Sequence, residues 1–495
     1  MNKTTRNIAF VTFSLISLTA CSIPMLTSKK VDSTLPQQYS PPANTQDDSV
    51  NVQVDWHHFF DDPKLMQLID IALNNNKEVN ILLQRINMAQ NEIQARQGEY
   101  KPFVGFGAGA DAEKVGQYTR NGAVEENLEI KEGKSFPRVL GNYRFGLFSS
   151  WELDVWKKLR NASQVAVYEY MASIEGRQFL VTNLVAEVAR SYYELVALDN
   201  QLENLEQNIA LQQQGLDIVR ELQIYARTNS LAVKRYEAEV SKNKSRQFLL
   251  KQQIVEVENR INLLLGRTPQ SIARSSTGFM QTKLKTLQTG IPSQLLQNRA
   301  DIRQAEMELK AAELNIDVAR ANFYPSFSIR AGLGFEAFKS QYLLNTPESL
   351  AYSFGGDILA PLINRNAIIA NFKNANAKQI QAAFEYEQTI IKAYAEVVNQ
   401  MSKIEKLNDS FQLKTAQVEK LNQSVDVATQ LFKAARADYL DVLLTQRETL
   451  DAQSEMIDNK LQQMTAKIDL YRALGGGWQN TKADKISSQP IAKVP

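Results

Sequence analysis

Glu99-Tyr100-Lys101-Pro102-Phe103-Val104-Gly105-Phe106-Gly107-Ala108-Gly109 returns, altered, as Phe323-Tyr324-Pro325-Ser326-Phe327-Ser328-Ile329-Arg330-Ala331-Gly332. Aligning Pro102 on Pro325 places Ala108-Gly109 on Ala331-Gly332. Each copy closes a long helical pattern and opens a run with strand alternation. Proline disfavours helix at the residue before it, so each copy marks a switch from helix to strand. The chain makes this switch twice and returns to long helix both times.

Working outward, the first copy ends a helix that Asp62-Pro63 opens, with Asp62 as N-cap and proline at the first helical position. Its pattern lasts to about Gln97 through Leu65, Leu68, Ile69, Leu73, Leu82, Ile86 and Ile93. Residues 102–113 read as a strand and residues 114–140 as a charged solvent loop. Asn142 to Trp151 reads as the returning strand, so residues 102–151 form a hairpin. From Arg160 to Ala226, 67 residues run without a breaker; as helix they span roughly 100 Å. One seven-residue seam runs Val181, Val188, Leu195, Leu202, Ile209, Leu216, and a second runs Leu184, Ser191, Leu198, Leu205, Gln212, Val219. Sustained heptads predict coiled-coil packing. After a break at Arg227-Thr228-Asn229-Ser230, a shorter helix over Leu231–Leu265 folds back and stops at Gly266.

The second copy sits in the same plan. A helix is expected from Pro292 to Ala321, then strands over Ser326–Phe335 and Leu350–Leu359 (hairpin 326–359). A long helix follows from Ala367 to Ala434, with a break near Arg436–Tyr439 and a shorter helix to Leu474. Adding 209 to the first seam gives Ile390, Val397, Ile404, Phe411, Val418 and Val425, all apolar. The same shift carries Leu265-Gly266 onto Leu474-Gly475, whereas the hairpins are offset by 223. A constant offset across separated features predicts an internal repeat. The expected divisions are a signal peptide (1–20), a tether (21–54), a first repeat (55–270), a connector (271–291), a second repeat (292–478) and a disordered tail (479–495).

Composition limits the functions available. The 495-residue chain has a formal net charge of +2. Residues 1–20 hold Lys3 and Arg6 and no acid, so without them the basic and acidic counts both stand at 54. A neutral chain argues against a nucleic-acid partner. One cysteine forms no internal disulfide and no cysteine-based zinc site. The histidines, His57 and His58, are sequence neighbours that do not share a helix face, which suits a structural role. No clustered nucleophile, acid–base pair or cofactor loop is present, so an enzyme is not expected.

The start is more specific. Lys3 and Arg6 precede an uncharged, apolar or small run from Ile8 to Ala20, too short to span a bilayer as a helix. It ends in Leu18-Thr19-Ala20-Cys21, which resembles the bacterial lipobox. The resemblance implies cleavage before Cys21 and attachment of N-acyl and diacylglycerol lipid to it, with no other cofactor. Ser22, in place of aspartate, implies transfer to the outer membrane.

Four strands of about ten residues match the length that crosses a bilayer when tilted. Four cannot enclose a channel, and open edges are not tolerated in lipid. Other copies of the chain must pair them, and three copies give a twelve-stranded barrel. The expected fold class is therefore a mixed α/β membrane protein: mostly long coiled-coil helices forming a trimeric α-helical barrel, with four strands per chain in a transmembrane β-barrel.

Asn142 to Ala162 (NYRFGLFSSWELDVWKKLRNA), Ile291 to Glu306 (IPSQLLQNRADIRQAE) and Leu470 to Trp478 (LYRALGGGW) resemble the signature segments of TolC-like, NodT-like outer-membrane efflux lipoproteins. The likeness covers nearly all of residues 55–478. One departure is Ala300, where the family usually has proline. The resemblance implies a homotrimer in the outer membrane that passively conducts drugs or other small toxic compounds. It also implies a periplasmic adaptor and an inner-membrane transporter of the RND type as partners. Two alternatives use the same residues: the outer-membrane channel of a type I protein secretion system, and a lipidated coiled-coil adaptor without a barrel.

The free ends of the helical hairpins are the expected periplasmic gate. Its candidates are Arg436, Asp438, Tyr439 and Asp441. The family commonly has glycine near Ala435 and an acidic residue at Asp441, and threefold symmetry turns one inward carboxylate into a ring that selects cations. The competing reading makes Asp438 a helix cap and Asp441 a neighbour of the helix's positive end. At the first tip Ala226 stands where glycine is common, and Arg227, Asn229 and Ser230 are candidate adaptor contacts. Phe103, Phe106, Tyr143, Phe145, Phe148, Trp151, Phe327, Phe335 and Tyr352 are candidates for a lipid-facing aromatic band. Trp151 and Trp156 are expected at the junction of strands and helices.

Overall fold

Proline and asparagine punctuate the elements as their chemistry requires in a computed structural model that describes residues 23–27, 29–40, 55–285, 287 and 289–476. Cys21, half of the tether and the tail lie outside the described residues. Asp62 caps the helix α1 (Pro63–Asn75), its carboxylate accepting from the Lys64 and Leu65 amides. Then follow α2 (Lys77–Glu99), strands β1 (Phe103–Glu113) and β2 (Leu140–Leu153), and helices α3 (Lys158–Ile224) and α4 (Ser230–Leu264). The second series is α5 (Ala300–Ala321), β3 (Ser326–Ala337), β4 (Leu350–Leu359), α6 (Asn366–Lys433) and α7 (Tyr439–Ala473). The paired lengths are 67 and 68 residues for α3 and α6, and 35 each for α4 and α7. No described helix is long and apolar enough to cross a membrane.

Three expectations need correction. The helix foreseen from Asp62 to Gln97 is two helices, because Asn76 is extended and serves both: its amide ends α1 on Ala72 O and its Oδ1 accepts from the Glu78 and Val79 amides. The helix foreseen from Pro292 is likewise broken, at Arg299, also extended. The two breaks are equivalent in their bonding. Asn76 Nδ2 donates to Leu264 O at the end of α4, and Arg299 Nη1 donates to Ala473 O at the end of α7. The loop 114–140 is not plain coil: it holds a helix at Arg120–Asn127 and a small hairpin, Glu129–Lys131 with Lys134–Ser135.

The chain divides into two compact units. One, made of residues 1–30, 88–170 and 307–383, contains the sheet. The other, made of residues 31–87, 171–306 and 384–495, is helical and holds the main core. There Trp56, Phe59, Phe60, Leu65 and Ile69 pack on Val185, Val188, Tyr192 and Leu195, with Tyr471 stacked on Phe59 at 4.6 Å. Along the heptad seams of α3 every position is buried except Leu202 and Ile209, which are partly so. A second cluster gathers Leu295, Ile302, Ile390 and Val397 around Tyr39 of the tether, only 3% exposed and stacked on Tyr394 at 5.6 Å. The tether is therefore not simply an extended linker; its described end is docked.

Candidate functional site: a two-faced sheet and two helical tips

The four strands make one antiparallel sheet in the order β1-β2-β3-β4, so the central β2–β3 pairing joins the two hairpins. Among the described residues β1 and β4 are paired on one side only. Side chains alternate across a strand and paired residues share a face, so the register sorts every residue. One face carries Asp111, Glu113, Arg144, Glu152, Arg330, Glu336 and Asp357 among glycines and serines. Arg144 pairs with Asp111 at 2.6 Å, Arg330 with Asp357, and Asn142 donates to Glu336 at 2.7 Å. The other face has no charged residue at all: Val104, Phe106, Tyr143, Phe145, Leu147, Trp151, Ile329, Leu333, Phe335, Tyr352, Phe354 and Ile358 lie on it. Tyr352, Phe354 and Ile358 are 82%, 79% and 70% exposed, an apolar surface that requires an apolar medium.

Seven of the nine aromatic band candidates share this uncharged face. Phe103 and Phe148 do not; they pair with Ser150 and Gly105 on the polar side. Phe148 lies across β1, where a Cβ at Gly105 would meet its ring at 2.6 Å. The sequence hid this because glycine at the partner position, not alternation alone, makes room for a flat ring. The central pair of strands is also tight. A Cβ at Gly146 would sit 2.5 Å from Gly334 Cα, and one at Gly334 would sit 2.4 Å from Phe145 O. Both glycines belong to the polar face, where the paired backbones leave no room for a methyl group. The two tryptophans fasten the helix-to-strand switches: Trp151 Nε1 donates to Tyr100 O at 3.1 Å and Trp156 Nε1 to Pro325 O at 2.7 Å.

The helical tips share one turn. At the first, Ala226 donates to Gln223 O and Arg227 to Leu222 O; at the second, Ala435 donates to Phe432 O and Arg436 to Leu431 O. This bond pair closes a helix through a left-handed residue, usually glycine. Here alanine fills it, at φ of 54° and 57°. The other two ends of the hairpins use Gly266 and Gly475 at the same place in the turn. There glycine is doubly required, since a Cβ would lie 2.4 Å from Asn75 O or Asn298 O.

Asn229 caps α4 by accepting from the Ala232 amide at 3.2 Å, and Ser230 is the first helical residue. Asp438 caps α7, accepting from the Tyr439 amide at 2.7 Å, while Asp441 returns the bond by accepting from the Asp438 amide at 3.1 Å. Both carboxylates, Arg436, Arg227, Asn229 and Ser230 remain exposed. Tyr439 is a correction: it is 9% exposed and packs with Leu216, Val219, Val233, Tyr236 and Leu443, so it holds the two hairpins together and does not face solvent. The sequence reading also missed Ile224 and Tyr225 at the first tip, which are 81% and 75% exposed. Their signal is position: they follow the last apolar heptad residue.

Comparison with known proteins agrees with this architecture. The chain is 28% identical over 474 residues to the pyoverdine export outer membrane protein OpmQ of Pseudomonas putida, covering 96% of this chain and 98% of that one. It is 28% identical over 472 residues to the cation efflux system protein CusC of Escherichia coli, covering 94% and 97%. A solved structure of the open state of the Neisseria gonorrhoeae MtrE outer membrane channel superposes with a TM-score of 0.79 at 22% identity, covering 92% of this chain and 98% of that one. The model of outer membrane efflux proteins matches residues 68–267 and 291–476, taking in both strand pairs and both helical hairpins; the chain belongs to the outer membrane efflux protein family.

Proposed function

We propose that three copies of this chain close their sheets into a single twelve-stranded barrel, the membrane portion of an efflux pump's exit channel. The observation that carries this is the two-faced sheet. Its uncharged face suits lipid and its charged face suits a water-filled lumen. In lipid the open edges of β1 and β4 must be paired, because each unsatisfied backbone group costs several kcal/mol. In the periplasm and inner membrane, an adaptor and an RND-type transporter complete the pump and supply its energy. Related proteins are named for pyoverdine export and for cation efflux. Cargo that varied favours selection upstream of the channel. Lipid on Cys21 anchors the chain; labelled palmitate is expected on the wild type and absent from Cys21→Ser.

The test is direct. Purified protein in detergent is expected at about three times the chain mass and to conduct when placed in planar bilayers. A stable monomer without conductance contradicts the reading. Within the channel, we assign the gate to the second tip, with Asp441 lining it as well as completing the cap of α7. Asp441→Ala is expected to change single-channel conductance. Unchanged conductance at every pH would leave only the capping role. Arg227, Asn229 and Ser230, with the exposed Ile224 and Tyr225, form the surface proposed to meet the adaptor; crosslinks from Arg227→Cys to other partners alone would refute it.

A further inference from the structure

Three lysines from two separate loops converge on one phenol. In the small hairpin of the β1–β2 loop, Lys131 stands directly opposite Lys134. Like charges facing each other across a hairpin are destabilising. Lys131 Nζ lies over the ring of Tyr342, 4.9 Å from its centre. Tyr342 belongs to the β3–β4 loop, in a turn that Lys339 opens, and Phe338 packs against its ring at 5.3 Å. A hydrogen bond from Gln341 and the positive charges of Lys131, Lys134 and Lys339 hold the phenol below its ordinary pKa. Among the described residues none of the three ammonium groups has a carboxylate within ion-pair distance. Glu129 accepts from the Gly133 amide at 2.8 Å, and Glu132 lies in the hairpin turn.

Both loops leave the sheet at one end, between Glu113 and Leu140 and between Ala337 and Leu350. They therefore lie at the end of the sheet away from the helices. We infer that Lys131, Lys134 and Lys339 bind the phosphate of an outer-leaflet lipid headgroup. A phosphate between the opposed lysines replaces their repulsion with charge-assisted hydrogen bonds. The uncharged face below takes the acyl chains, which a free phosphate lacks. This assignment rests on the proposed barrel, which places these loops on the outer side.

The full chain, purified in zwitterionic detergent, is mixed with lipid A micelles, re-isolated and weighed by native mass spectrometry. Wild type is expected to retain lipid A, and Lys131→Gln with Lys134→Gln to weaken retention about tenfold or more. Lys131→Arg with Lys134→Arg is expected to retain it. Equal retention by a variant with all three lysines changed to Gln overturns the assignment. So does displacement by inorganic phosphate at the same molar concentration as the lipid. Conductance is recorded on the same material. Conducting trimers that fail the lipid test defeat this inference alone, whereas material that forms no conducting trimer defeats the barrel and this inference together.

Discussion

Four residues close the hairpins, and only two of them are glycine. A left-handed alanine costs about 1 kcal/mol relative to glycine. Ala226→Gly and Ala435→Gly are thus expected to stabilise their turns by about that much each, read as slower hydrogen exchange of the tip amides. Gly475→Ala has the opposite sign and a larger size, because its methyl also collides with Asn298 O; a measurable loss of helical thermal stability is expected. Lys460 is a second residue-scale case. It is 5% exposed in α7, its ammonium 5.6 Å from the centre of the Phe411 ring. Burial, then Lys467 and Lys283, push its pKa down to about 8. Below pH 8 both folded and unfolded chains carry the proton, and the fold bears the full cost of the buried charge. As pH rises from 8 toward the ordinary lysine value that cost disappears. Lys460→Met should raise stability at pH 7 by about 2 kcal/mol. Its advantage over wild type should vanish above pH 10; an advantage independent of pH would show that the charge is compensated.

At the scale of elements, the close approach of Gly146 and Gly334 in the β2–β3 pair makes a sharp prediction. Gly146→Val forces the strands apart, so the proposed trimer is expected to be lost in detergent while far-ultraviolet circular dichroism keeps its helical signal. Gly355→Ala is the control: it lies on the same polar face with open space around it and should be neutral. Much of the element list was legible because its signals are local. Asp62-Pro63, Pro102, Pro325, Gly266 and the heptads each announce a boundary or a buried stripe through neighbouring residues. The breaks at Asn76 and Arg299 were not legible, because their bonds reach carbonyls about 190 and 170 residues away in sequence. The polar-side places of Phe103 and Phe148 were not legible for a related reason: the face of a residue in a glycine-rich strand follows from register. At the tips, the cap role of Asp438 was readable from its position, but the burial of Tyr439 depends on contacts with α3 and α4.

For the whole molecule, the outer-membrane efflux channel follows from a match between surface and medium. The charged face holds paired carboxylates and guanidiniums that water can solvate, and the uncharged face holds aromatic rings that lipid can cover. The uncharged face could not be satisfied by the single chain in water. Tyr39 adds a link at this scale, since it ties the described N-terminal segment into the helical core. Tyr39→Ala is expected to leave membrane attachment intact while lowering the thermal stability of the helices, because it opens a cavity beside Ile390 and Val397.

The singly paired borders of β1 and β4 carry a genetic consequence. A subunit altered at one border still offers a sound one, so it can enter an assembly and spoil the ring it joins. In the proposed three-chain barrel, where altered and normal genes are expressed equally and subunits mix freely, only about one ring in eight is wholly normal. Damage to a border should therefore be dominant, whereas damage that prevents the chain from folding should be recessive.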